Sequence, residues 1–402
     1  MKPAVAVLSG LVMVACATTP VASTSPNAAS AAPSGSPGAA SPSTTASPRP
    51  TTSPSPTAPQ ASLRFAVVEG LSPSGAEANT VAIVGLDGYA KAKAQFTPRQ
   101  RPYIGNAAVP LQPVAQVIGS AVYYIDGYGT VRALRVGVQP QTVASFSTQP
   151  AQYETWFAVT PDGGSAIAGV LQYPAIGTAP SPCEGLTCMP PLVGPWQFSL
   201  VRATGGSPPT VLQQIQSPNH PDIPAGNWHP TFPVAWVAGG PVAMVPVSIG
   251  TQNAWWGGPL YLLDSAGKQV RQVGGADCAS DIVAGGQFIP CTSGTYVVTV
   301  RDLSGDILWT TQIEGFNALS LRVSPDGQGV TDGTKVERRG SGLITMPVGF
   351  NVEGWLDDSA VVGWQQSSDG LHPGNLSWIN VGDPATVHDL GFKGDFVGTL
   401  GS

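Results

Sequence analysis

The chain has 402 residues, a formal net charge of −6 and only 10% charged side chains, with 49 Gly and 40 Pro. So few charges and so many turn formers exclude long solvated helices and favour many short strands. The acidic balance leaves no basic footprint for nucleic acid and no Lys/Arg block for anionic lipid, so neither partner is expected through charge.

In chain order, the first element is an export signal. Met1-Lys2 carries one positive side chain, and residues 4–15 form an uncharged run. That run is shorter than the ~20 residues of a bilayer-spanning helix, and it matches a signal core. It ends in "MVAC" (13–16), which resembles the lipobox of bacterial lipoproteins, with Met13 where Leu is commonest. The resemblance implies that 1–15 is a signal peptide, that Cys16 receives a diacylglyceryl group, and that Cys16 becomes the N-terminus after cleavage. Ordinary secretion is the alternative, because "ACA" (15–17) is also a small-x-small cleavage site that would discard Cys16. An unpaired cysteine is odd in an export signal, which favours the lipid anchor. At about 0.8 kcal/mol per buried methylene, two acyl chains hold a protein on a membrane where one does not.

Residues 16–62 read as a linker. After Cys16 they are almost entirely Ser, Thr, Ala and Pro, with Arg49 as the only charge and no aromatic residue. Such a segment buries too little apolar surface to offset the entropy of ordering it. Its prolines stiffen it toward polyproline II, with a reach of at most about 140 Å.

From residue 63 to 402 the texture changes to short apolar runs separated by Gly, Asp, Asn and Pro. A unit of strand, Asp/Gly turn and strand recurs, as in "VAIVGLDGYAKAKAQF" (81–96), "VYYIDGYGTVRALRV" (122–136), "LYLLDSAGKQVRQVGG" (260–275) and "YVVTVRDLSGDILWTTQI" (296–313). Asp87 to Asp126 is 39 residues and Asp264 to Asp302 is 38, close to the period of a propeller blade. "FAVTPDGGSAIAGV" (157–170) and "LRVSPDGQGVTDG" (321–333) place Pro-Asp-Gly turns between two strands. These motifs resemble the TolB-like and WD-repeat-like β-propellers, whose blades carry "SPDG" between inner strands and "LY..D..G" between outer ones. The expected fold is therefore an all-β propeller of seven blades, at about 63–97, 110–144, 153–215, 229–275, 277–313, 316–347 and 350–400. "DFVGTL" (395–400) is placed to pair beside "LRFAVV" (63–68), closing the ring and protecting its sheet edges. A two-sheet sandwich is the alternative architecture.

Apart from Cys16, the cysteines form two local pairs, Cys183 with Cys188 and Cys278 with Cys291. An even set with these spacings suits two disulfides outside the cytoplasm; a zinc site is disfavoured, because neither pair is CxxC and no His stands beside them. Two segments are too long for blade turns, 171–197 and 216–230, and mark the expected binding rim. In the second, His220, Asp222 and His229 have the chemistry of metal ligands, but their spacing matches no template, so no metal is expected. Trp255 and Trp256 in "NAWWGGPLY" read either as a stacking platform for sugar or apolar side chains, or as blade-to-blade packing. Trp309, Trp355, Trp364 and Trp378 sit in strand-like runs and are expected in the core.

No GxSxG elbow, HExxH or CxxCH is present, so neither a catalytic residue nor a cofactor is assigned. The expected function is a non-catalytic binding scaffold, a monomer outside the cytoplasm on a lipid anchor, with a protein or glycan partner. The alternative is a propeller-type envelope enzyme, a glycan or peptide hydrolase or lyase, with its site in the central channel.

Overall fold

The computed structural model describes residues 65–70, 78–99, 114–149, 153–173, 175–176, 192–217, 230–245, 247–249, 254–256, 258–275, 278, 286–293, 296–314, 321–366 and 373–401. All fall within one compact unit, Gln60–Ser402.

Alternating apolar runs punctuated by Gly and Asp fold into seven antiparallel blades. Blade two holds Ala115–Ile118, Ala121–Ile125, Thr130–Arg135 and Val138–Ser145, from the inside outward. Blade three holds Tyr153–Val159, Ser165–Gln172, Gln197–Thr204 and Thr210–Gln216, and blade four Phe232–Val237, Gly240–Met244, Leu260–Leu263 and Gln269–Gln272. Blade five is described as Phe288–Ser293, Val297–Asp302 and Ile307–Gln312. Blade six holds Arg322–Val323, Gly329–Thr331, Lys335–Arg338 and Gly342–Thr345, and blade seven Phe350–Trp355, Ala360–Gln366, Pro373–Asn380 and Asp383–Asp389.

Blade one is made from both ends of the ring. Its order is Asp395–Leu400, Phe65–Gly70, Thr80–Gly85 and Ala90–Gln95, and the register pairs Phe65 with Leu400 and Ala66 with Thr399. The protein is a seven-bladed β-propeller closed by its C-terminal strand. The expected range 350–400 for the seventh blade is corrected accordingly: that blade ends at Asp389, and 395–400 is the inner strand of the first.

Strand periodicity explains how the ring packs. Successive side chains point to opposite faces of a sheet, and here each face of a blade meets a neighbouring blade. In Thr80–Gly85, Val81 and Ile83 join the core shared with blade two, while Ala82 and Val84 join the core shared with blade seven. In Tyr153–Val159, Phe157 and Val159 face blade two, while Trp156 and Ala158 face blade four. At that second interface the Trp156 and Phe232 rings lie 3.8 Å apart, and Phe198 meets Phe232 edge-on at 5.4 Å. Trp309 and Trp355 are buried as expected, whereas Trp364 and Trp378 are half-buried against the core between blades seven and one.

The Pro-Asp-Gly turns around Asp162 and Asp326 join first to second strands, and Asp87 and Asp264 lie between third and fourth strands. Blade five is placed by its contacts. Trp309 Nε1 donates to Gly327 O in the first turn of blade six, and a Cβ on Gly327 would meet the Phe288 ring at 3.1 Å. Phe288–Ser293 therefore starts at the end of the ring where second strands start, and the three described strands are the second to fourth. Asp302 then also lies between third and fourth strands, so its distance from Asp264 is a true blade repeat. Asp126, by contrast, lies between the second and third strands of blade two, so the Asp87–Asp126 spacing is not a repeat. The cause is local. Asp126 Oδ1 accepts from Tyr128 N and Thr130 N, just as Asp264 Oδ1 accepts from Ala266 N and Lys268 N. An Asp that caps its own turn closes a hairpin at any position in a blade.

Cys278 and Cys291 form a disulfide, with Cys291 in the second strand of blade five and both residues buried between blades. A loop of 13 residues contributes about 3 kcal/mol in the chain-entropy model.

Candidate binding face and closure site

Because strands alternate in direction, the connections segregate to two ends of the ring. At one end stand the turns between first and second and between third and fourth strands, the longest being 160–164, 205–209, 264–268 and 324–328. At the other end stand the connections between second and third strands and those between blades, including 96–114, 173–196, 217–231 and 245–259. Two of these carry added hairpins, Ala175–Ile176 with Leu192–Val193 and Val247–Ile249 with Ala254–Trp256. Among the described blades, connections longer than five residues thus belong to one end of the ring, while the other end holds turns of two to five residues.

A buried ion pair organises the loop end. Arg99, in the connection from blade one to blade two, places Nη1 2.6 Å from Glu154 Oε1 and donates to Thr155 O on the inner strand of blade three. Glu154 is fully buried, and the Tyr173 hydroxyl donates to its other oxygen at 3.2 Å. A buried carboxylate demands such partners, and losing one is costly.

Two sets of polar side chains lie on the inner strands. Gln116 of blade two donates from Nε2 to Phe157 O of blade three and, at 3.2 Å, to Val234 O of blade four. On the other side of the ring, Glu353 of blade seven accepts from Phe396 N of the closing strand at 2.6 Å, and from the Trp364 indole. Burial pushes its carboxyl up from 4.5 to about 7; neighbouring Asp395 pushes the same way, against those hydrogen bonds and Arg322. Burial also raises Asp395. One of the Glu353 hydrogen bonds thus ties blade seven to the closing strand, and the other stays within blade seven.

A cleft of about 200 Å³ opens between blades three and four at the turn end, lined by Arg202, Leu212, Trp236, Gly239, Gly240 and Asp264 among others. Gly239 and Gly240 form one wall, and a Cβ on Gly240 would meet Leu263 O at 2.9 Å.

The residues singled out in the sequence are only partly placed. Cys16, Cys183, Cys188, His220, Asp222 and His229 lie outside the described residues. Trp255 and Trp256 are placed by backbone alone, in the hairpin strand opposite Ser248 and Val247. Among the described residues no group of three or more His, Cys, Asp or Glu is arranged to hold a metal. Sequence reasoning missed Glu353, Gln116 and the Arg99–Glu154 pair. A lone Glu in the apolar run "GFNVEGWL" was the available signal for the first.

No protein-family model matches the chain, and no curated protein matches it. Similar solved structures include a dihydro-heme d1 dehydrogenase, NirN, in complex with DHE, at 13% identity over 84% of this chain and 75% of that chain, with a TM-score of 0.41. A putative TolB from Agrobacterium tumefaciens matches at 11% identity over 82% and 89% of the two chains, with a TM-score of 0.33. The Pyrococcus horikoshii acylaminoacyl peptidase matches at 10% identity over 81% of this chain and 52% of that one, with a TM-score of 0.37. At these levels none of the three carries a function across.

Glu353 makes stability depend on pH. Its folded-state value of about 7 lies above the unfolded 4.5, so its stabilising contribution is complete below the lower value and is lost as pH rises through the higher. Glu353→Gln should remove a loss on the order of 3 kcal/mol between acid and alkaline pH. Denaturant midpoints across that range check this; equal pH slopes for both proteins would contradict it.

Proposed function

We propose that the protein is a lipid-anchored, extracytoplasmic propeller that acts as a non-catalytic scaffold, binding a protein or glycan partner at the cell envelope through its loop end. The segregation of long connections to one end carries this reading. Variable, long connections on a rigid scaffold are where binding surfaces are built, and among the described residues the opposite end has only turns of two to five residues. The Cys278–Cys291 bond suits an oxidising compartment, and the "MVAC" motif supplies the anchor at Cys16. The Ser/Thr/Pro-rich segment then acts as a spacer between membrane and ring.

Two measurements test the reading. Labelled palmitate should enter the wild-type chain and not Cys16→Ser; equal labelling of both would refute the anchor. A photocrosslinker at Val348, which is 96% exposed in the blade six to seven connection, should capture the envelope partner in cells. The same group at Val136, in an outer turn at the other end, should not. Capture from Val136 alone, or from both positions equally, would overturn the assignment of the loop end.

A further inference from the structure

The cleft between blades three and four combines an apolar lining with two opposite charges that do not meet. Ile167 and Leu212 of blade three line it opposite Trp236 and Leu263 of blade four. Ile167 and Leu263 are buried, and all four side chains pack into the core shared by the two blades. The blade-four turn is seated closely against blade three. At Gly267, where φ is +79°, a Cβ would meet Leu200 at 2.5 Å and Leu212 at 3.3 Å. The walls are thus set by inter-blade packing.

Each blade adds one charge to the lining. Arg202 is exposed on the third strand of blade three, and Asp264 is exposed on the last turn of blade four. They form no ion pair with each other. Among the described residues the Arg202 guanidinium has no hydrogen-bond or salt-bridge partner. Its charge does reach Asp162, whose carboxyl is held low first by the Thr160 hydroxyl and least by Arg202. Asp264 gives Oδ1 to its own turn, accepting from Ala266 N and Lys268 N, so among the described residues Oδ2 has no partner.

A ligand that satisfies this lining brings an anionic group to Arg202, a cationic group to Asp264 and an apolar body to the side chains between them. At about 200 Å³ the cleft is smaller than the roughly 300–1,000 Å³ of drug-sized sites. Both charges must therefore sit on one small molecule. An α-amino acid with an apolar side chain has that combination, with carboxylate and ammonium on the same carbon. A ligand lacking either charge leaves one wall unpaired beside an apolar group, which is how a polar site rejects near analogues.

We propose that this cleft binds a free α-amino acid with an apolar side chain, its carboxylate on Arg202, its ammonium on Asp264 and its side chain against Trp236. The site lies at the turn end, so it stands or falls separately from the loop-end reading.

Calorimetric titration of the full chain tests this with three probes. They are L-phenylalanine, 3-phenylpropionate, which lacks the ammonium, and phenethylamine, which lacks the carboxylate. L-Phenylalanine should fill one site with a Kd on the order of 1 mM or tighter. Each analogue should bind about fivefold more weakly or worse, a modest factor because both protein charges are exposed. Arg202→Met should erase the preference over phenethylamine. Asp264→Asn, which keeps an Oδ1 acceptor for the turn, should erase the preference over 3-phenylpropionate. Denaturant midpoints near the wild-type value confirm that both variants fold. No saturable heat with L-phenylalanine up to about 10 mM, equal binding of the three probes, or preferences that survive the substitutions would overturn the proposal.

Discussion

Every blade of this ring is apolar on both faces, and that constraint governs the rest of the structure. Because adjacent residues of a strand serve two different neighbours, a blade removed from the ring exposes two faces at once. A chain whose charged residues are this sparse has no polar face to offer water instead. The ring must therefore close, and the register of Phe65 with Leu400 and Ala66 with Thr399 is where it does. The Glu353 carboxylate, held against Phe396 N, fastens that strand from the adjoining blade.

Closure also separates the two ends. With four strands per blade the chain enters each blade at the same end of the ring, and the long connections lie at that end. The inner strands and the Arg99–Glu154 pair underlie the long connections, while the outer turns at Asp87, Asp264 and Asp302 are capped by their own Asp side chains. Long connections and short turns thereby fall at different ends of the same strands.

Much of this was legible in the sequence, for reasons specific to particular residues. Turn chemistry is local, so the Pro-Asp-Gly turns at Asp162 and Asp326 and the turns at Asp264 and Asp302 announced hairpins correctly. The same locality misled the phase at Asp126, since an Asp that caps its own turn carries no information about which pair of strands it joins. Most blade boundaries and the closing strand could be read from the spacing of apolar runs, but not the end of the seventh blade at Asp389. Glu353, Gln116 and Arg99 could not, because their roles arise from contacts between residues 40 to 120 positions apart, and only burial distinguishes them.

The account depends most directly on the closing strand being part of the first blade. Amide hydrogen exchange of the full chain reports this residue by residue. Amides of 396–400 should exchange as slowly as those of Thr80–Gly85 and should lose protection together with them as denaturant is raised. Rapid exchange across 396–400, while 80–85 stays protected, would show an open ring and contradict the structure described here.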